Sequence, residues 1–256
     1  MKGHKRLKEF YDHNFYHKVN HMSLESAEIY AKYLTYYYKP TSVLDLGCGT
    51  GAWLKAFKDC GSKQLKGMDG DWIKKDDLLD SEVAFDPINL NELELSEEKF
   101  DLAMSLEVAE HLEESSANNF VDYLTNSSDI VLFGSAYENQ GGTNHINEQK
   151  HSYWAKKFVN KGFLPFDFFR EKFWDDSKVG FWYRQNIFLY IKDGSEPHSL
   201  FSEQGFSPIT NIFFMDCVHP ELYQAKCAEG ISFTTHLNGI VPSFIRAIKR
   251  RIKGKK

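Results

Sequence analysis

Residues 41–57, TSVLDLGCGTGAWLKAF, decide how the rest of the chain is read. A β-branched and apolar run, Ser42 to Leu46, leads into Gly47, Gly49 and Gly51, and an amphipathic segment follows. Glycine weakens strand and helix alike, so glycines this dense mark a point where bare backbone is needed. The segment after them carries Trp53, Ala56, Phe57 and Cys60 on one helical face and closes at Gly61. A buried strand, a glycine turn and a helix in that order put the turn at the carboxyl end of the strand. That is the edge at which open α/β sheets bind ligands. The start of the helix adds free N–H groups and partial positive charge.

Outward from this stretch, the same alternation continues. SLESAEIYAKYLTYYYKP (23–40) reads as a helix capped by Ser23, with Ala27, Tyr30, Leu34 and Tyr37 as its stripe and Pro40 as its stop. QLKGMD, EVAFDP, FDLAMSLEV and DIVLFGS read as strands. AEHLEESSANNFVDYL reads as a helix, and NEQKHSYWAKKFVNKG as another, capped by Asn147. FLPFDFFRE and NIFLYIKDG are two late strands without a clear helix between them, which predicts an antiparallel hairpin at the sheet edge. The fold class is therefore α/β, a Rossmann-like doubly wound, mostly parallel sheet with that edge hairpin. Residues 1–192 form the domain and 193–256 a C-terminal extension. Phe10, Tyr11, Phe15 and Tyr16 near the start form either a lid over the site or a hydrophobic staple for the first helix.

Composition narrows the class. The chain has 256 residues, 42% of them hydrophobic and 15% aromatic, enough for a sizeable core. Its net charge of −5 gives no general case for a nucleic-acid partner. No apolar run reaches the roughly 18 residues a transmembrane helix needs, and the basic start lacks the apolar segment of a secretory signal. Four cysteines without CxxC spacing fit a reduced, cytoplasmic protein. The end, SFIRAIKRRIKGKK, is basic, with Ile245, Ile248 and Ile252 at helical spacing. It is either a solvated tail or an amphipathic helix that touches an anionic membrane surface or a partner.

The acids near the glycine turn refine the ligand. Asp45 precedes the first glycine, Asp69 ends the second strand in GMDGD and Asp86 ends the third in FDPINL. A carboxylate after the second strand suits two ribose hydroxyls, one after the third suits an adenine amino group, and Asp45 suits an ammonium group. Together they describe a ligand with an adenosine at one end and an amino acid at the other. VLDLGCGTGAW, GMDGD, FDPINL and FDLAMSLEVAEHL resemble, in register, the successive motifs of class I S-adenosylmethionine-dependent methyltransferases, over residues 25–192. QGGTNHINEQKHSYWAKKFVNKGF and WYRQNIFLYI further resemble small methyltransferases of bacterial capsule and polysaccharide biosynthesis.

The resemblance implies S-adenosylmethionine as cofactor. Asp45, Gly47, Gly49 and Gly51 would line its methionine and ribose part, Asp69 the ribose, and Asp86 the adenine. Trp72 would pack on the adenine face, or is an ordinary core or surface tryptophan. Glu107 would stand at the mouth of the cleft. Glu107 and His111, four apart, would share one helical face, with His111 near the transferred methyl or hydrogen-bonded within the fold. His145, in the polar loop GGTNHINEQ, is the second candidate base, with Asn144 and Glu148 as acceptor contacts or cappers. Tyr183 and Arg184, in GFWYRQN, suit a sugar or an anionic acceptor, unless they sit on an exposed hairpin turn. No HExxH or Cys/His pattern appears, and no metal site is expected. The activity implied is O-methylation of a small polar acceptor, such as a sugar, a sugar nucleotide or a phosphate-type group including a phosphoramidate. The competing classes are a nicotinamide-dependent oxidoreductase with a similar glycine turn and a non-catalytic partner protein of the same fold.

Overall fold

The computed structural model describes residues 13–228. The basic C-terminal tail, with Phe10 and Tyr11, lies outside the described residues. The described elements, in chain order, begin with α1 (His13–Tyr37), β1 (Ser42–Leu46), α2 (Ala52–Asp59), β2 (Gln64–Asp69), β3 (Ala84–Pro87) and β4 (Leu102–Leu106). Two 3-10 turns, Ala109–His111 and Glu114–Ser116, lead to α3 (Ala117–Ser127), β5 (Ile130–Gly134), α4 (His151–Val159) and β6 (Phe163–Phe166). Then come α5 (Arg170–Phe173), α6 (Phe181–Asn186), β7 (Phe188–Lys192), α7 (Glu196–Glu203), a 3-10 turn Ile212–Met215, and α8 (Pro220–Ala228). One sheet takes the order β3-β2-β1-β4-β5-β7-β6. β1 to β5 run parallel, whereas β7 pairs antiparallel with both β5 and β6. The Rossmann-like sheet with an antiparallel edge pair is as the sequence predicts.

Strand sequences divide the core into two layers because successive side chains point to opposite faces. Val43, Leu102, Met104, Ile130, Leu132, Leu189 and Ile191 pack on the face that receives α1 and α2. Leu44, Leu46, Ala103, Val131, Phe133, Phe188 and Tyr190 pack on the other, against α3 and α4. β1, β4 and β5 are buried at every position, which explains why they read as unbroken apolar runs. α2 buries Trp53, Ala56 and Phe57 as predicted. On α1, Ala27, Tyr30, Ala31 and Leu34 are fully buried.

Several local expectations are corrected. α1 begins at His13, so Ser23 lies inside it rather than capping it, and its hydroxyl pairs with the Tyr183 hydroxyl at 2.9 Å. The segment after β4 forms two 3-10 turns before α3 rather than one helix. α4 starts at His151, so Asn147 does not cap it; its amide instead donates to the Ala109 carbonyl. The strand within FLPFDFFRE stops at Phe166, because Phe168 and Phe169 turn into an aromatic cluster with Tyr30 and Tyr33. The late strands pair antiparallel as expected, but α5 and α6 lie between them, where the sequence shows no clear helix.

The first compact unit runs to Cys217, and the second starts at Val218 and includes α8. Phe201 of α7 joins one core layer and Met215 the other. All four cysteines are free thiols. No described helix is long and apolar enough to cross a membrane.

The glycine turn shows what each glycine is for. Gly47, Gly49 and Gly51 all have positive φ, at +84°, +52° and +79°. At Gly47 an added Cβ would also lie 2.3 Å from a Val108 methyl, whereas nothing lies within 4 Å of one at Gly49. Gly49→Ala therefore carries only left-handed strain, and Gly47→Ala carries strain plus a clash. We expect Gly47→Ala to cost about 2–4 kcal/mol and Gly49→Ala about 1 kcal/mol. Thermal denaturation of both variants checks this; equal losses would mean that Val108 yields freely.

Candidate active site

β1 sits between β2 and β4, so the chain reverses its winding direction there and a crevice opens at the carboxyl ends of these strands. The glycine turn is pinned across that crevice. The N–H groups of Gly47 and Cys48 donate to the Met68 carbonyl at 2.7 and 3.3 Å. The N–H of Gly49 donates to Asp69 Oδ2 at 2.8 Å, and Gly70 donates to Asp69 Oδ1 at 2.6 Å. Each Asp69 oxygen keeps a further lone pair for a ligand hydroxyl. The Trp72 ring occupies the space where Gly70 lacks a side chain, with ring atoms 2.2 Å from an ideal Cβ position. It thus stands directly beside Asp69.

Burial dominates the charges here. Asp69 and Asp45 are 8% and 3% exposed. Desolvation raises the pKa of both, and the Asp69 charge raises that of Asp45 further, while the backbone N–H groups of Gly49 and Gly70 pull Asp69 back down. Asp86 is different. It is exposed and forms an ion pair with Lys66 at 3.0 Å, and Lys66 also meets Glu98 at 2.6 Å. Asp86 lies opposite Met68 in the β2–β3 register, one position before the partner of Asp69.

Glu107 follows β4 in a left-handed conformation, φ +57°, that is uncommon outside glycine. Its Oε1 accepts from the Asn186 amide at 2.9 Å and its Oε2 from the Gln140 amide at 3.3 Å. Desolvation pushes its pKa up to about 7, the two amide donors oppose this, and the Glu148 charge adds to it. Because of the turn, Glu107 and His111 do not share a helical face as expected. Glu107 accepts from Gln140 and Asn186, whereas His111 meets Asn144 and His145.

That loop brings His111 and His145 together. Their rings meet edge to face with centroids 4.8 Å apart. His111 Nδ1 lies 3.3 Å from the Asn144 carbonyl, and burial lowers its pKa to about 4, the His145 charge adding to the effect. His145 Nδ1 lies 2.7 Å from Glu148 Oε1, which also accepts from the Gly141 N–H at 2.6 Å. Gly142 leaves room for the His145 ring, which would be 2.3 Å from an ideal Cβ there. Asn144 takes a positive φ of 59° to present its carbonyl. Beside this pair sits Glu110, fully buried, which sequence reading did not single out although it adjoins His111. Among the described residues, Glu110, His111 and His145 form one group that could hold a metal ion, where the sequence predicts none.

Tyr183 and Arg184 lie on α6, not on an exposed turn, and both are buried. The Tyr183 hydroxyl is taken by Ser23 and its backbone carbonyl by Tyr30. Arg184 donates to the Trp174 carbonyl at 2.9 Å. These contacts hold α6 against α1, and Asn186 at its end donates to Glu107. The residues missed from GFWYRQN and its surroundings are Asn186 and Gln140.

A glycine cradle at the switch point, an acid after β2 and a polar cluster after β4 and β5 define the class I methyltransferase architecture, whose members use S-adenosylmethionine. Residues 18–160 match the family described as methyltransferase domain, and the chain belongs to that family. No curated protein sequence matches the chain. A putative O-methyltransferase from Nostoc punctiforme is similar in structure at a TM-score of 0.51 and 12% identity, over 67% of this chain and 57% of that one. The methyltransferase domain of bacterial CtHen1 aligns at 0.48 and 19% identity, over 65% of this chain and 98% of that one. Magnesium protoporphyrin IX methyltransferase from Synechocystis aligns at 0.49 and 15%, over 68% and 81%.

The Glu107 environment has a measurable consequence. Its folded pKa of about 7 lies above the ordinary 4.5. Its contribution to stability is thus present in full below about pH 4.5 and is lost as pH rises through 7. Carboxyl carbon NMR should show the Glu107 signal titrating near pH 7, above the ordinary glutamates, and that signal should vanish in Glu107→Gln. A glutamate spectrum with no midpoint above pH 6 would contradict the burial described here.

Proposed function

We propose that this chain transfers the methyl group of S-adenosylmethionine to an oxygen of a small polar acceptor, a sugar, sugar nucleotide or phosphate-type group. The observation that carries this reading is the pairing of His111 with the Glu148-held His145 on the sheet edge that also bears the glycine cradle. The cradle backbone and Asp69 hold the nucleoside, Trp72 walls the Asp69 side, and Asp45 and Glu107 supply negative charge toward the ammonium and sulfonium. The polar loop from Gln140 to Glu148 takes the acceptor. A sulfonium is already a good leaving group, so the main task is in-line alignment of oxygen, methyl carbon and sulfur. What remains is the acceptor proton, and the histidine cluster is where the site can deal with it.

Transfer of labelled methyl from S-adenosylmethionine to a panel of sugars, sugar nucleotides and phosphorylated sugars tests the acceptor class. Incorporation confined to nucleic acid, protein or purely apolar acceptors would refute it. On the cofactor side, Asp69→Ala should weaken adenosylhomocysteine binding by roughly ten- to a hundred-fold, the cost of a charge-assisted hydrogen bond. Calorimetry on the folded variant gives the answer, and unchanged affinity would move the ribose elsewhere. On the acceptor side, His145→Ala should lower turnover by about a hundred-fold or more while adenosylhomocysteine affinity stays within about two-fold. A near-normal rate would remove His145 from the chemistry.

A further inference from the structure

Glu110, His111 and His145 each offer one donor atom, and the three atoms lie within 4.8 Å of one another. They arrive from two directions, Glu110 and His111 on the 3-10 turn after β4 and His145 on the loop after β5. Backbone bonds from Ile146 and Asn147 to the Glu110 carbonyl, both 2.9 Å, clamp that loop onto the turn. The histidines are oriented from behind. His145 Nδ1 meets the Glu148 carboxylate at 2.7 Å and His111 Nδ1 meets the Asn144 carbonyl at 3.3 Å. In a neutral imidazole the nitrogen facing such an acceptor carries the proton, so Nε2 carries the lone pair in both rings.

Glu110 supplies the independent observation. It is fully buried, its Oε2 accepts from the Ser135 hydroxyl at 3.1 Å, and its Oε1 makes no hydrogen bond of full geometry among the described residues, with only the nearby backbone N–H groups of Glu110 and Ala136 easing the carboxylate charge. Burying a carboxylate oxygen without a full hydrogen bond is costly, and a nearby cation removes that cost.

We propose that Glu110, His111 and His145 bind one divalent first-row transition ion, and that this ion holds the acceptor oxygen. Two imidazoles and a carboxylate form a three-donor set that leaves other coordination positions open, and imidazole favours such ions over magnesium or calcium. The carboxylate behind His145 and the carbonyl behind His111 are the outer partners that metal-binding histidines generally have. The ion's role rests on the methyltransferase reading above. An acceptor hydroxyl bound to the ion loses its proton to a solvent base more readily. Its oxygen then forms the bond to the methyl carbon as the carbon–sulfur bond breaks, and that electron pair stays on sulfur, leaving neutral adenosylhomocysteine.

The test uses the full chain stripped by chelator and titrated with Co²⁺ alone, followed by calorimetry and the visible ligand-field spectrum. One Co²⁺ per chain is expected. His145→Ala and Glu110→Gln should each weaken it at least ten-fold, and Glu148→Gln by roughly ten- to a hundred-fold. Glu110→Gln keeps side-chain volume and the Ser135 contact, and circular dichroism confirms that each variant is folded. No Co²⁺ binding by the folded wild-type chain, or binding unchanged in both ligand variants, would overturn the proposal. Adenosylhomocysteine binding on the same samples separates the two readings. Its absence with Co²⁺ still bound would refute the methyltransferase reading and leave the ion site standing, and the reverse would refute the ion alone.

Discussion

The 2.8 Å bond from the Gly49 N–H to the Asp69 carboxylate is the constraint on which the rest of the site depends. It ties the turn after β1 to the last residue of β2, and the Met68 carbonyl reinforces it by accepting from Gly47 and Cys48. The turn is thus held open by the neighbouring strand rather than by its own side chains. Val108, from the segment after β4, fills the space beside Gly47. Three loops from three strands are fitted together at one edge, and none can shift alone. A rigid backbone cradle of this kind presents donors at fixed positions before any ligand arrives, which is what alignment of a methyl group requires.

The crevice is also electrostatically incomplete by itself. Asp45, Asp69, Glu107 and Glu110 all have raised pKa values, and in each the first cause is removal from water. Glu107 raises Glu110 further by like charge. Among the described residues, none of these carboxylates pairs with an arginine or lysine of the kind that elsewhere offsets burial. A cationic ligand therefore gains twice, from attraction and from relieving repulsion among the acids. A sulfonium with an ammonium group fits that demand, and its demethylated product, one charge poorer, fits it less well. The same field favours release after transfer.

Much of this was readable in the sequence, for definite reasons. β1, β4 and β5 are parallel strands buried on both faces, so their apolar runs have no other use. The glycines at 47, 49 and 51 appear where only positive φ will serve. Asp69 could be placed because it ends a strand. What could not be read depends on tertiary contact. Ser23 looks like a cap because the helical signal before it is weak, yet its partner is a tyrosine 160 positions away. Tyr183 and Arg184 look like a binding pair, but burial against α1 and Trp174 is decided by packing that spacing does not encode. Glu107 and His111 seemed to share a face because helical spacing was assumed, and a left-handed residue and a 3-10 turn undid it. Glu110 was legible only as the neighbour of a histidine.

The hydrogen bonds behind Glu107 run a long way along the chain. Asn186 donates to Glu107, His151 Nε2 lies 3.1 Å from the side-chain oxygen Oδ1 of Asn186, and His151 Nδ1 lies 2.8 Å from the Met215 backbone carbonyl. Arg170 donates to that same Met215 carbonyl at 2.9 Å while Asp167 grips its other side. An acid in the first half of the chain is thus steadied by a backbone carbonyl beyond the last strand. The functional unit is therefore longer than the stretch that carries the family pattern. A chain shortened to residue 192 would keep every strand and every glycine of the cradle. It would still strip the acceptor from His151 and Arg170, and loosen the acid from behind.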